Sequence, residues 1–295
     1  LGIRVERNPM FDSLINAVKT GNIIKVRQLI QRGANVNDER TAIPVLSIAA
    51  RKGNLEMVKL LVQYRADINT TYGLGTCALV DAVYSGNSEV VKFLVSKGAD
   101  LKIGENGFTA LAVAANTENI EIVKFLLSKT AYAGGALHFA AANGNIEIVK
   151  ILLNNGIKIN DVVYLGGVEC SALWLACRDG KLESVNFLIE NGADINSGEK
   201  LTGSNPLMIA SQNGHIEIVK LLIDKGIDVN FIDNFGWNAL MVASQKGRLE
   251  IAKILLQKSA DINAKNNEGE TSLMLASKNG HSSVVKILRS AGATE

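Results

Sequence analysis

One eight-residue pattern recurs along the chain at nearly constant spacing, and it constrains the fold more than any other feature. It reads Asn or His, an apolar residue, Glu, two apolar residues, Lys and two more apolar residues, as at 54–61, 119–126, 145–152 and 215–222. A Gly precedes eight of the nine copies, and Glu118 takes its place in the fourth. Successive copies are 32 to 36 residues apart, except for one interval of 26. Nine units of about 33 residues therefore fill the chain, which predicts a repeat architecture.

Each unit contains two helical patterns separated by that Gly. The first is short, as at 239–246, and it ends at the Gly, which accepts the left-handed conformation that closes a helix. The second begins at the Asn or His, and its apolar residues follow a period near 3.6, as in a helix with one buried face. An Ala-Asp-Ile-Asn segment, as at 193–196, follows the second pattern in several units. It indicates a turn, because Asn and Asp side chains bond the local backbone.

Short motifs in the first helices resemble those of the ankyrin repeat family, and the resemblance covers residues 10–295. The motifs include Pro206-Leu-Met-Ile-Ala210, Thr109-Ala-Leu-Ala-Val-Ala114 and Ala136-Leu-His-Phe-Ala140. The resemblance implies an all-α repeat solenoid, an array of helix-turn-helix pairs with short projecting β-hairpin loops, in which neighbours bury each other's apolar faces. We expect a single ankyrin repeat domain over 1–295, with repeats near 10–38, 39–71, 72–103, 104–131, 132–163, 164–198, 199–232, 233–265 and 266–295.

Composition argues against several other classes of protein. The 31 Lys and Arg against 29 Asp and Glu leave a formal net charge of +2, without the excess basic charge of a nucleic-acid coat. Lys and Glu interrupt every apolar stretch, so we expect no membrane insertion. Three cysteines without a CxxC pair suit neither a disulfide framework nor a Cys-rich zinc site. The compartment stays open: the cytoplasm is favoured, and the start at Leu1 rather than Met leaves a removed signal segment as the alternative.

No residues combine into a recognisable catalytic set, so we expect neither an enzyme nor a cofactor or metal. The glycine-rich stretches lack the spacing of a phosphate-binding loop. Of the three histidines, His215 and His281 stand where other copies carry Asn and are interpreted as hydrogen-bonding residues at the entry to the second helix. His138 is interpreted as a core or groove histidine.

The family resemblance implies a non-enzymatic module that binds a protein through its concave groove and hairpin tips. We expect a monomer with a protein partner of unknown identity. The alternative is a dedicated inhibitor or self-protection protein that occludes a partner enzyme's active site. A nucleic-acid binder would have to use five scattered basic residues, partly offset by Asp179 and Glu268: Arg51, Lys52, Arg178, Lys246 and Lys278.

Positions that vary between repeats at the groove and the tips are the candidate contacts. Aromatic and Arg side chains usually carry most of the energy of an interface, so they weigh most here. Phe235 and Trp237 are the strongest pair, because they are close in sequence and both should face the groove. The full set is Asn234, Phe235, Trp237, Lys246, Tyr164, Leu165, Arg178, Phe108, Tyr84, Arg51 and Lys52.

Asp81 is an exception in the first helix of its repeat, since the other repeats from the second onward carry an apolar residue there. A buried carboxylate costs several kcal/mol unless it is paired or hydrogen-bonded. We expect either an opening in the packing or a bond to a neighbouring hydroxyl such as Tyr84 or Ser47. A contact with a partner is the alternative.

The interval of 26 residues predicts a notch, because 129–135 is too short for a full hairpin. The next connection is longer and apolar, at 162–168. We expect it either to fold over the notch or to present Tyr164 and Leu165 to a partner, since exposed apolar tips usually have a function.

Overall fold

The computed structural model describes residues 9–38, 42–73, 75–104, 107–130, 132–165 and 167–294. The chain divides into two compact units, Leu1–Ala136 and Leu137–Glu295. In each unit the helices follow one another in pairs, and the described residues form eighteen helices, which confirms the predicted helix-pair architecture.

The first unit contains four complete pairs, and α9 (Ala136–Asn143) begins at its last residue. The four pairs are α1 (Pro9–Lys19) with α2 (Ile23–Gln31), α3 (Val45–Arg51) with α4 (Leu55–Gln63), α5 (Ala78–Tyr84) with α6 (Ser88–Ser96), and α7 (Ala110–Asn116) with α8 (Ile120–Leu127).

The second unit continues the same arrangement after α9 and adds two strands. Its further elements are α10 (Ile146–Asn154), β1 (Val162–Leu165), β2 (Val168–Ser171), α11 (Ala172–Arg178), α12 (Leu182–Glu190), α13 (Pro206–Asn213), α14 (Ile216–Asp224), α15 (Ala239–Gln245), α16 (Leu249–Gln257), α17 (Ser272–Lys278) and α18 (Ser282–Ser290).

The second helix of each pair buries the apolar stripe that the sequence predicts. In α14 the buried residues are Ile218, Val219 and Leu222, while Glu217 and Lys220 remain exposed. Burial of such side chains against neighbouring helices contributes roughly 1.5–3 kcal/mol each. Because part of the covering surface belongs to adjacent repeats, the stability of each repeat depends on its neighbours.

An Asn or His that precedes the second helix caps that helix, bonds the preceding repeat, or does both, as Asn87 does. Asn54 caps α4, since its Oδ1 accepts from the backbone N–H of Met57 at 3.0 Å. His215 makes no such cap on α14, and its Nε2 lies 3.0 Å from the carbonyl oxygen of Arg178 in the preceding repeat. The histidine is thus a hydrogen-bonding residue at the helix entry, as predicted, but its bond links two repeats and does not cap the helix.

In the Ala-Asp-Ile-Asn segment, the Asp and the Asn side chains make different hydrogen bonds. Asp67 bonds the local backbone as predicted, with Oδ1 2.9 Å from the N of Asn69. Asn69 instead reaches the next repeat, where its Oδ1 accepts from the N of Asp100 at 2.9 Å. Asn37 makes the equivalent bond to the N of Asp67 at 2.8 Å. This asparagine is therefore a tie between repeats as well as a turn residue.

The long connection folds as a β-hairpin. Strands β1 and β2 pair antiparallel, with Tyr164 opposite Glu169 and Leu165 opposite Val168. The short connection is tied to the preceding repeat, since Gly135 N donates to Gly107 O at 2.9 Å. Gly134 has φ +50°, and a Cβ there would come within 2.7 Å of Thr109 Oγ1. The compact path therefore requires glycine at this position.

Candidate partner-binding surface

Backbone hydrogen bonds join neighbouring fingers in the second unit, where a finger is the loop or hairpin that precedes a first helix. Each of three bonds runs from an N–H to a carbonyl in the preceding finger: Lys200 to Glu169 at 2.9 Å, Asn234 to Thr202 at 2.9 Å, and Asn267 to Phe235 at 3.0 Å. We call the set Tyr164, Glu169, Lys200–Thr202, Asn234, Phe235 and Asn267 the tip ladder. The ladder crosses four consecutive fingers.

Side chains reinforce the ladder between the fingers. The ammonium of Lys200 lies 2.8 Å from Glu169 Oε2. The amide of Asn234 donates to the carbonyl of Leu201 at 3.1 Å, and that of Asn267 donates to the carbonyl of Asn234 at 3.2 Å. Asn234, a predicted contact, therefore also holds two fingers together.

A polar side chain shapes each of the last three fingers from within. Asp233 Oδ1 accepts from the N–H groups of Phe235 and Trp237 at 2.8 and 2.9 Å. Asn266 Oδ1 plays the same part in the last finger. Glu199 is 3 % exposed, and its carboxylate accepts from the N–H of Thr202 at 2.9 Å and from the Thr202 hydroxyl at 2.7 Å. Burial raises the pKa of Glu199, and these bonds outweigh it, so the pKa is lowered overall.

Three large apolar side chains of the ladder are exposed to solvent. Tyr164 is 50 % exposed, Leu201 73 % and Phe235 53 %. Sequence reasoning missed Leu201, although it lies 33 residues before Asn234 and so at the same position of the preceding repeat. The repeat register was the signal that could have found it.

At two fingers, two neighbouring residues were predicted as partner contacts, and the structure exposes one of them more than the other. Phe235 is exposed, but Trp237 is partly buried. Tyr164 is exposed, but Leu165 is 6 % exposed, which contradicts its prediction as an exposed tip residue. The reason is the strand itself, because successive side chains of β1 point to opposite faces.

Asp81 is buried at 2 % exposure, and it bonds a neighbouring hydroxyl, as predicted, together with an arginine. Its Oδ1 accepts from Arg51 Nε at 2.9 Å and from an Arg51 Nη at 2.7 Å, and its Oδ2 accepts from the Tyr72 hydroxyl at 2.9 Å. The hydroxyl is that of Tyr72 and not that of either predicted example, since Tyr84 points outward at 69 % exposure and the described bonds of Asp81 do not include Ser47.

The hydrogen bond to Asp81 raises the pKa of Arg51 above its usual range, and burial together with the bond to Asp81 raises that of Tyr72. The guanidinium of Arg51 thus pairs with the carboxylate of Asp81, although half of the Arg51 side chain remains exposed.

Arg178 is also engaged within the chain. Its Nε and one Nη lie 2.7 and 2.9 Å from the two carboxylate oxygens of Asp179. Its guanidinium carbon is 6.0 Å from the centroid of the Trp174 ring. The remaining predicted contacts are exposed: Lys52, Tyr84 and Phe108 in the first unit, and Lys246 in the second.

The three cysteines and His138, which are possible catalytic residues by type, are buried. Cys77, Cys170 and Cys177 are free and buried, and burial raises the pKa of Cys170 to about 12. Burial lowers the pKa of His138 to about 4, and its Nε2 lies 3.1 Å from the carbonyl oxygen of Cys170. Within the described residues, no three His, Cys, Asp or Glu side chains converge as a metal site. None of the described helices has the length and apolar character needed to cross a membrane.

Comparison with known proteins confirms the family resemblance of the repeats. The family model for ankyrin repeats, which describes three copies, matches overlapping windows that together run from residue 14 to 294. The windows are 14–105, 46–135, 81–163, 138–233, 173–266 and 228–294.

Curated relatives match over about a third of the chain. Ankyrin repeat and SAM domain-containing protein 6 of Rattus norvegicus is 38% identical over 103 residues, 33% of this chain and 11% of that protein. BRCA1-associated RING domain protein 1 of Caenorhabditis elegans is 36% identical over 92 residues, 30% of this chain and 13% of that protein. Ankyrin repeat domain-containing protein 63 of Mus musculus is 37% identical over 98 residues, 31% of this chain and 25% of that protein. The matched part of the chain thus spans a quarter or less of each of these relatives.

Proposed function

We propose that this chain, which belongs to the ankyrin repeat family, binds a protein partner across its tip ladder. Proteins of this family are generally interaction modules and typically not enzymes. The finer proposal is that Tyr164, Leu201 and Phe235 anchor the partner, with the groove-facing residues beside them completing the contact. The inhibitor alternative stays a prediction that no feature of the described residues favours over other forms of binding.

The carrying observation is the exposure of three large apolar side chains on one hydrogen-bonded ladder. Exposed apolar residues that gather in one place mark interaction sites. Aromatic side chains supply much of the binding energy at such sites. Because the fingers are tied to one another, less conformational entropy is lost when a partner binds.

The ion pairs of the candidate basic residues favour a protein partner over nucleic acid. Arg51 pairs with Asp81, Arg178 with Asp179, and Lys278 with Glu270. Nucleic-acid binding depends on cations that are available to neutralise phosphates. Three of the five candidate basic residues are instead neutralised within the chain.

The state of the buried cysteines and of His138 supports a non-enzymatic role. A reactive cysteine needs a lowered pKa and access to solvent. The pKa of Cys170 is raised and its side chain is 0 % exposed. His138 is 1 % exposed, so it cannot exchange protons with a bound substrate at the surface.

The test is affinity capture with a triple variant, Tyr164→Ala with Leu201→Ala and Phe235→Ala. All three side chains are largely exposed, so the variant should fold, and urea denaturation checks this. Proteins retained from a lysate by the wild-type chain are identified by mass spectrometry and produced in pure form. Their dissociation constants are then measured for both chains. We expect the triple variant to raise the constant at least about tenfold, since anchor residues each contribute more than about 1 kcal/mol.

Ile24→Ala is the matched control, because Ile24 in α2 is 72 % exposed and lies outside the ladder. It should leave the dissociation constant unchanged. A partner that binds wild type and triple variant with equal affinity would remove the ladder from the proposal. A partner lost equally with Ile24→Ala would indicate unspecific apolar adhesion.

A further inference from the structure

The sixth repeat breaks a regular pattern on the outer side of the second helices. The fifth residue of the second helix is Lys in seven repeats and Arg27 in the first, but it is Asn186 in α12. A Lys stem covers the apolar surface beneath it while its ammonium stays in water. The shorter Asn186 cannot cover as much, and a cleft of about 470 Å³ lies at this place.

The same replacement leaves a carboxylate without its usual partner. In four other second helices, the Glu at the second position pairs with that Lys at 2.7 to 3.2 Å. In α12 the amide of Asn186 instead donates to Glu190 at 3.0 Å. Among the described residues, no cation pairs with Glu183. Its carboxylate therefore stands exposed at the edge of the cleft.

The floor of the cleft is apolar. Ile146, Leu182, Phe187 and Leu221 line it, and Leu182 is 40 % exposed. The ammonium of Lys150 lies 5.4 Å from the centroid of the Phe187 ring, so this aromatic face already attracts a cation. Lys150 occupies the Phe187 ring face, so the carboxylates of Glu183 and Glu190 at the edge of the cleft are what could attract a cation of a partner.

The second carboxylate is placed two helical turns from the first. Glu190 follows Glu183 by seven residues in α12, a separation of about 10 Å along the helix axis. The ammonium of Lys225 lies 3.8 Å from Glu190, beyond hydrogen-bonding distance, so Glu190 keeps capacity for a closer cation. Two basic side chains seven residues apart on a facing helix have the same spacing as these carboxylates.

We propose that this cleft is a second interaction site, which binds an amphipathic helix carrying Lys or Arg at positions i and i+7. Apolar side chains at i+3 and i+4 of that helix would fill the floor, while its basic residues pair with Glu183 and Glu190. Helices that insert an apolar face into a groove use this spacing of anchors. The site lies on the second helices, so it is independent of the tip ladder and of the function proposed for it.

The probe is a fluorescent synthetic amphipathic peptide of about 18 residues, long enough to form a helix. It carries Lys at i and i+7 and Leu at i+3 and i+4, and a second peptide carries Glu in place of both Lys. Binding is measured by fluorescence anisotropy with the full chain. We expect the basic peptide to bind the wild-type chain and the acidic peptide not to bind.

Asn186→Lys restores the residue that seven other repeats carry, so this variant should fold. It covers the floor and neutralises Glu183, and we expect it to raise the dissociation constant about tenfold, an effect of the size seen when a buried anchor is lost. Glu183→Gln should raise it about threefold, as for a partly exposed charge pair. Glu217→Gln is the matched control, because Glu217 occupies the same position in α14 but already pairs with Lys220 at 2.8 Å.

Three results would overturn the site: no binding by the wild-type chain, unchanged affinity in Asn186→Lys, or equal weakening by Glu183→Gln and Glu217→Gln. The last result would mean that the peptide responds to overall charge and not to this cleft. The Tyr164, Leu201 and Phe235 triple variant should bind the basic peptide like wild type, which separates this site from the tip ladder.

Discussion

Asn230 holds the backbone of Asp261 in the next repeat, with its Oδ1 2.7 Å from the Asp261 N. The amide of the same side chain donates to the carbonyl of Ser259 at 3.2 Å. One asparagine thus satisfies a donor and an acceptor of the neighbouring turn. These two bonds stabilise the junction between the repeats, and the stability of a repeat array depends on such junctions.

Asn230→Ala should lower the free energy of unfolding by about 1 kcal/mol, because two hydrogen bonds to the next repeat are lost. Urea denaturation followed by circular dichroism measures the change. Asn196→Ala is the control, since its side chain makes no such described bond at the equivalent position of the sixth repeat. An equal loss in both variants would assign the effect to the turn itself and not to the tie.

Arg51→Leu should destabilise the chain by roughly 2–3 kcal/mol, because it leaves the carboxylate of Asp81 buried without its cation. The exposed half of the Arg51 side chain keeps the loss below that of a fully buried pair. The double variant Arg51→Leu with Asp81→Val should recover most of the loss, since the other repeats from the second onward carry an apolar residue at the position of Asp81. Chemical denaturation of the two variants decides the point. A double variant less stable than the single one would show that Asp81 contributes through bonds other than that to Arg51.

His138 should make the folded state sensitive to acid. Burial lowers its pKa to about 4 in the folded chain, whereas an unfolded histidine titrates near 6.5. Above about 6.5 both states are neutral at this residue. Between about 6.5 and 4 the unfolded state binds the proton and the folded state does not, so stability falls as the pH falls, by on the order of 3 kcal/mol in total.

His138→Gln tests this, because glutamine does not titrate and keeps an amide that can donate to the Cys170 carbonyl. The free energy of unfolding of both chains is measured from pH 7.5 to 4. The difference between wild type and variant should change in favour of the variant as the pH decreases. Parallel curves would show that His138 does not remain neutral in the folded chain.

Gly236→Ala should distort the tip ladder. Its φ is +76°, and a Cβ would come within 2.7 Å of Asn267 Oδ1 and 3.0 Å of the Asn267 backbone N. We expect a loss of about 2 kcal/mol, the sum of backbone strain and displacement of the neighbouring finger.

Gly269→Ala separates these two effects, since its φ is +78° and, among the described residues other than its chain neighbours, none comes within 4 Å of the added Cβ. This variant should lose about 1 kcal/mol, from strain alone. Thermal unfolding compares the two variants with wild type. Equal losses would mean that Asn267 moves away from the added Cβ without lowering the stability of the chain.

The fold was predictable because its signal is repeated. The apolar stripe of α14, buried at Ile218, Val219 and Leu222, recurs in nearly every second helix, and repetition makes a local pattern unambiguous. The candidate surface was predictable only in part. Phe235 and Tyr164 were identified and are exposed, whereas Leu201 was missed and Leu165 is buried. Exposure of a finger residue depends on which way its strand or turn faces, and aromatic content alone does not report that.

The sequence by itself determined the helix pairs, their period and the apolar faces, because these follow from local periodicity and from glycines at helix ends. Only the tertiary structure decided which polar side chains serve a neighbouring repeat. Asn230 bonds a turn 31 residues away, and Arg51 bonds Asp81 at a distance of 30 residues. Such partners meet only after the repeats stack, and the geometry of stacking, not the spacing along the chain, sets which atoms come within hydrogen-bonding distance.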